Sequence, residues 1–159
     1  MKFEHLIQIN DPGNPLIVPL SRRQLWQGLM HRVENPLPFL PGLESCTTLE
    51  RQAAEVLREL DFGPAVIQDR VTWAEEGWVR FDILASEQHA GGSLTISIEE
   101  PEAGHLFLRF AYETTLAEQA GTSNLEDRAY VEYVKSAYHQ SDVDTVRIIR
   151  TLATKGTLQ

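Results

Sequence analysis

Between Ala65 and Thr115 apolar and polar residues alternate in four successive segments, Ala65–Trp73, Trp78–Ala85, Ser93–Glu99 and His105–Thr115. The breaks between them, Glu75-Glu76-Gly77, Gln88-His89-Ala90-Gly91-Gly92 and Pro101-Glu102-Ala103-Gly104, all hold glycine. Alternation with period two sends neighbouring side chains to opposite faces of a strand, and glycine supplies the backbone angles of tight hairpins. The pattern therefore predicts an antiparallel meander. Its inward face collects Ile67, Val71 and Trp73, then Val79, Phe81 and Ile83, then Leu94, Ile96 and Ile98, then Leu106, Leu108, Phe110 and Tyr112. A sheet face this apolar needs a second layer over it.

The C-terminal run supplies that layer. Ser123 and Glu126 stand at capping-box spacing, Asp127 adds negative charge to the first turn, and no glycine or proline follows until Gly156. Arg147, Arg150 and Lys155 sit near the end, where cations suit a helix terminus. A helix of about 28 residues would be roughly 40 Å long. Tyr130, Val134, Ala137, Ser141, Thr145, Ile148 and Leu152 keep helical spacing, but the middle of that stripe is small or hydroxylated. Bulk is missing where the helix crosses the sheet, so the expectation is a cavity with a polar anchor.

Ahead of the meander, Phe3, His5, Ile7 and Ile9 alternate as a first strand, and Asn10 to Pro15 form a turn. Ser21 can cap a helix whose apolar face is Leu25, Trp26, Leu29, Met30 and Val33, and Asn35-Pro36 ends it. Pro36, Pro38, Pro41 and Gly42 restrict any second helical segment to a short turn carrying Leu37, Phe39 and Leu40 into the core. From Thr48 to Leu60 good helix formers abound, yet Val56, Leu60 and Phe62 alternate, and the stretch reads as two more strands. With no repeat or linker composition, residues 1–159 read as one domain.

A formal charge of −9 argues against nucleic acid as a partner, because phosphate binding needs clustered Lys and Arg. The single cysteine, Cys46, excludes an internal disulfide and suits a reducing cytoplasm. Met1 to His5 lack the basic and apolar regions of a signal peptide, and no run reaches the roughly 18 apolar residues of a membrane span, so no membrane insertion is expected. Oligomeric state stays open.

The order of strand, two short helices, six-strand meander and long helix resembles START-like proteins, which include birch-pollen-allergen-type carriers and polyketide-cyclase-type proteins. Glu34-Asn35-Pro36-Leu37-Pro38-Phe39-Leu40-Pro41 and Arg58-Glu59-Leu60-Asp61-Phe62-Gly63 resemble the AtaL-like family of that superfamily. The resemblance implies an α+β helix-grip fold, a seven-stranded curved antiparallel sheet wrapped around a long C-terminal helix, with a hydrophobic-ligand cavity between them. It transfers no catalytic residue. Arg51-Gln52-Ala53-Ala54 has no glycine, unlike the corresponding loop of the plant allergen proteins.

Two charges interrupt the apolar faces: Arg58 lies on the side of Val56, Leu60 and Phe62, and Asp69 on the side of Ile67, Val71 and Trp73. A two-residue turn at Gly63-Pro64 would set Arg58 opposite Asp69, as a cavity-facing ion pair that fixes register or anchors a ligand. The candidate ligand-binding set is this pair with Trp73, Phe81, Phe110 and Tyr112 on the strands and Tyr130, Tyr133, Ala137 and Ser141 on the helix. The phenols of Tyr112, Tyr130, Tyr133 and Tyr138 can orient or protonate a carbonyl, or simply pack.

His5, His31, His89, His105 and His139 show no metal-ligand spacing, so no metal is expected. Gly91-Gly92 lacks the setting of a phosphate loop, and no cofactor is expected. Glu99-Glu100-Pro101-Glu102 and Asp142-Val143-Asp144 read as solvated charge. Three functions remain: a carrier of a small hydrophobic molecule; a cyclase or hydratase in which Asp69 removes a proton and a tyrosine or Arg58 stabilises the enolate; and a protein-interaction module using Leu37-Pro38-Phe39-Leu40.

Overall fold

The computed structural model describes residues 1–87, 90–114 and 125–159. Its elements run β1 (Lys2–Gln8), α1 (Arg22–Glu34), β2 (Ser45–Gln52), β3 (Glu55–Asp61), β4 (Val66–Ala74), β5 (Trp78–Ile83), β6 (Gly92–Glu102), β7 (His105–Thr114) and α2 (Leu125–Thr154). All seven strands join one curved antiparallel sheet in the order β1-β7-β6-β5-β4-β3-β2, so every neighbour is a hairpin partner except the β1–β7 closure. The ambiguous stretch before the meander is the β2–β3 hairpin. Cross-strand pairing overrides its helix propensity, and Ala54 takes the turn at φ 58° without glycine.

Side chains on the inner face form rows that cross the sheet. One row runs Arg58, Asp69, Ile83, Gly92, Thr114, and the next runs Val56, Val71, Phe81, Leu94, Tyr112, Phe3. A third runs Trp73, Val79, Ile96, Phe110, His5. Leu25, Leu29 and Ile149 of α1 and α2, all fully buried, join Val33 and the third-row residues Val79, Ile96 and Phe110 in the core. Much of the first row, with Phe81, Leu94 and Tyr112 of the second, borders open space instead.

α1 starts at a capping box in which Ser21 Oγ accepts from the Gln24 amide at 3.0 Å while Gln24 Oε1 accepts from the Ser21 amide at 2.9 Å. The second short helix expected after β1 is a single turn, with the Phe39 and Leu40 amides both donating to the Pro36 carbonyl. The following prolines prevent its extension. Phe39 is buried there, and Leu37 is half exposed.

α2 spans 30 residues, about 45 Å. It closes at Gly156, φ 75°, where the Thr157 amide reaches the Leu152 carbonyl at 3.0 Å. The capping box expected from Ser123 and Glu126 lies outside the described residues. No helix is long and apolar enough to cross a membrane among the described residues.

Candidate functional site

A cavity of about 370 Å³ opens over the first two rows, between the sheet, the C-terminal end of α1 and the middle of α2. Leu60, Ile67, Phe81, Ile83 and Leu94 form its apolar wall, Leu40 comes from the turn after α1, and Val134, Tyr138 and Ser141 face it from α2. Gly91 and Gly92, read from sequence as a hairpin loop, also line it. Gly92 stands in the row of Asp69 and Ile83 without a side chain, so the wall is notched there.

The expected cross-strand pair is present. The Phe62 amide donates to the Ala65 carbonyl at 2.9 Å, which closes the two-residue turn and brings Arg58 opposite Asp69. Arg58 Nε donates to Asp69 Oδ1 at 2.8 Å and Nη2 to Oδ2 at 2.5 Å, with both residues only 2% exposed. Nη1 donates to the Val33 carbonyl at 2.8 Å, and the Arg32 carbonyl lies 3.4 Å from it. Those carbonyls belong to the last turn of α1, which has no helical amide left to bond and carries partial negative charge. Arg58 thus ties β3, β4 and α1 together, and Asp69 has both oxygens occupied by it.

Sequence reasoning missed two polar groups. Arg32, on the last turn of α1, is 6% exposed and lines the cavity, with its guanidinium carbon 4.8 Å from the centre of the Phe81 ring. Burial holds its pKa below the usual value. Among the described residues its side chain donates no hydrogen bond, and Nε is buried without a partner. The only signal for it was its place one residue before Val33 on an amphipathic helix, where an arginine ordinarily snorkels to solvent.

The second is Asp142, which is fully buried rather than solvated. The Tyr112 hydroxyl donates to its Oδ1, while Oδ2 has no partner among the described residues and lies 4.0 Å from His5 Nε2. Burial pushes the Asp142 carboxyl up to about 7, against the lowering effects of the Tyr112 hydrogen bond and of Arg32. Burial, with the Asp142 charge next to it, raises the Tyr112 phenol. His5 is lowered by burial and by His139 and Lys135, so its contact with Asp142 is that of a neutral imidazole. Phe3 stacks on Tyr112 at 4.9 Å, Tyr138 tilts against it at 4.4 Å, and the His5 and His139 rings lie 4.9 Å apart, leading outward along α2.

Of the ten candidate residues, the structure brings Arg58, Asp69, Phe81, Tyr112 and Ser141 to the cavity. Trp73 and Phe110 belong to the third row, where helices fill the space, and they pack in the core instead. Tyr133 and Ala137 are exposed because α2 turns a different face inward, the one carrying Tyr138, Asp142, Thr145 and Ile149. The Tyr130 side chain lies outside the described residues. Among the described residues no group of three or more His, Cys, Asp or Glu is placed to hold a metal ion.

The architecture recurs in solved structures. The di-domain ARO/CYC StfQ from the steffimycin biosynthetic pathway is similar at TM-score 0.66 and 14% identity, over 98% of this chain and 52% of that one, so this chain spans about half its length. Zhui aromatase/cyclase from Streptomyces sp. R1128 is similar at 0.60 and 15% identity, over 96% and 95% of the two chains. Ara h 8.0201 is similar at 0.58 and 12%, over 95% and 98%. At these identities the likeness is one of fold, that of START-like helix-grip proteins. No curated protein matches the chain in sequence. The sequence pattern of acetylaranotin biosynthesis cluster protein L matches residues 7–156, nearly the whole chain, and the protein therefore belongs to this AtaL family.

Proposed function

We propose that the protein binds a small hydrophobic molecule in the cavity between the sheet and α2. The observation that carries this reading is a 370 Å³ space with apolar walls and buried polar groups, Arg32 and the Tyr112–Asp142 pair, gathered at one side. Ligand sites typically combine such walls with a few convergent polar groups and fall in the size range of roughly 300–1,000 Å³. Native mass spectrometry and thermal-shift screening with lipophilic acids, phenols and polycyclic aromatics test it. Retained mass and raised Tm are expected, and no uptake across all three classes overturns it.

A second reading is favoured by one specific contact. Tyr112 faces the cavity and bonds a carboxyl with a pKa of about 7, and His5 stands behind that carboxyl towards the surface. With Asp142 protonated, its carboxyl can pass a proton to the Tyr112 oxygen as the Tyr112 hydroxyl gives its own to a ligand carbonyl, and the carboxylate left behind is reprotonated from the His5 side, the acid step of a cyclase or hydratase. In this arrangement Tyr112 and Asp142 supply a proton, where sequence reasoning had Asp69 remove one. The two aromatase/cyclase structures of like fold, and a family named for a biosynthetic cluster, supply context for it. Turnover of a poly-β-keto thioester analogue that is lost in Tyr112→Phe supports this reading; equal turnover in that variant removes the relay from the mechanism.

A further inference from the structure

Arg32 has a different standing from Arg58. Both guanidiniums flank Phe81, at 4.8 and 5.5 Å, and both are buried. Arg58 is engaged by a carboxylate and helix carbonyls, whereas the Arg32 side chain makes no hydrogen bond among the described residues and borders the cavity. A buried cation without a hydrogen-bond partner is costly, and the Phe81 ring face offsets only part of that cost. Packing does not require an arginine at this place.

The shape of the space says what would satisfy it. A guanidinium whose carbon lies over a ring still has N–H donors to offer in its own plane, and a carboxylate takes two of them in parallel. The carboxyl groups of Asp69 and Asp142 stand near enough to act on Arg32 electrostatically, which disfavours a dianion such as phosphate. The same cavity has an apolar wall of Leu60, Ile67 and Leu94, with Val134 on α2, suited to a hydrocarbon or aryl body.

We propose that Arg32 is the oxyanion receptor of the cavity and that its ligand is an amphiphilic monocarboxylate, the carboxylate paired edge-on with the guanidinium and the apolar body lodged between sheet and α2. This rests on the binding reading above and names the chemical class it takes.

The test uses the full chain and two matched pairs of probes, naphthoate with naphthamide and octanoate with octanamide, followed by calorimetry. The wild-type protein is expected to prefer a carboxylate over its amide by about tenfold or more, the aryl and alkyl pairs telling which body fits. In Arg32→Met the preference should fall to about twofold or less while amide binding persists, and Arg32→Lys should keep part of it. The Tm of unliganded Arg32→Met should equal or exceed that of wild type, since a merely structural arginine would lower it on removal. Equal affinity for acid and amide in the wild type, or a preference that survives Arg32→Met, overturns the role of Arg32 and leaves the cavity reading standing. If wild type binds none of the four probes, the role of Arg32 is overturned, and the binding reading falls with it only when phenols and polycyclic aromatics also show no uptake. Should Arg32→Met not fold, Arg32→Gln decides by the same ratio.

Discussion

The Tyr112 hydroxyl, on the last strand, donates to a carboxyl oxygen of Asp142 on the C-terminal helix, and both groups are buried beside the cavity. The bond crosses between the two layers of the fold. It also leaves the second Asp142 oxygen without a hydrogen bond among the described residues, so the carboxyl stays far above the ordinary aspartate range at about 7.

Stability should therefore depend on pH through Asp142. Its folded-state pKa is raised, so the folded protein binds the proton more tightly, and this contribution is full below pH 4 and lost as pH rises through about 7. A rise of about 3 units corresponds to a loss on the order of 4 kcal/mol across that window. Asp142→Asn should lack this component and gain stability relative to wild type at pH 8. Urea melts at pH 4.5 and pH 8 check it, and parallel pH profiles for the two proteins would contradict it. Tyr112→Phe should raise the Asp142 pKa further, because the phenol bond favours the ionised form.

Removing either partner of the Arg58–Asp69 pair should be costly, because the other is left charged and buried. Arg58→Met or Asp69→Leu alone should lose about 3–5 kcal/mol by denaturant titration. The double variant should recover most of the loss. Arg58→Met should also loosen the last turn of α1, seen as faster amide exchange near Val33, whose carbonyl it holds.

Gly28 is where α1 meets α2. A Cβ built there would lie 2.5 Å from Ile149 Cγ2 and 2.7 Å from Cγ1, and Ile149 is fully buried. Gly28→Ala gains about 1 kcal/mol of helix propensity, but overpacking costs about 1–3 kcal/mol, and contacts this short put it at the upper end. A net loss of about 1–2 kcal/mol is expected, and Gly28→Ala/Ile149→Ala, which removes both clashing Cγ atoms, should lose less than the sum of the two single variants. A Gly28→Ala variant more stable than wild type would show that the helices separate freely.

Ser141 reaches the cavity from α2 without belonging to the core cluster. Ser141→Trp should fill the space, abolish uptake of the lipophilic probes and leave the Tm within a few degrees of wild type. Undiminished uptake would place the bound molecules elsewhere.

The strands and the long helix were legible because each repeats a short-range signal many times over, and the Arg58–Asp69 pairing followed from a single two-residue turn. The cavity's polar side was not legible. Periodicity treats an aspartate as an outward mark, so Asp142 was read as surface, and the inferred helix face included the exposed Ala137 while passing over the buried Asp142 and Ile149. Arg32 was hidden for a related reason: only the packing of the end of α1 over Phe81 distinguishes it from an ordinary helix-surface arginine. Trp73 and Phe110 share the inward face with true wall residues, and sequence alternation says nothing of where along a strand the helices stop filling the space.

The contact between Arg58 and the last carbonyls of α1 has a consequence for affinity. The turn it grips is the turn that carries Arg32, so the backbone beneath that side chain is moored to two adjacent strands before any guest arrives. The Phe81 ring, 4.8 Å from the guanidinium carbon, is a further contact already in place. Little conformational entropy remains to be lost there on association, and a modest number of contacts can yield selective capture.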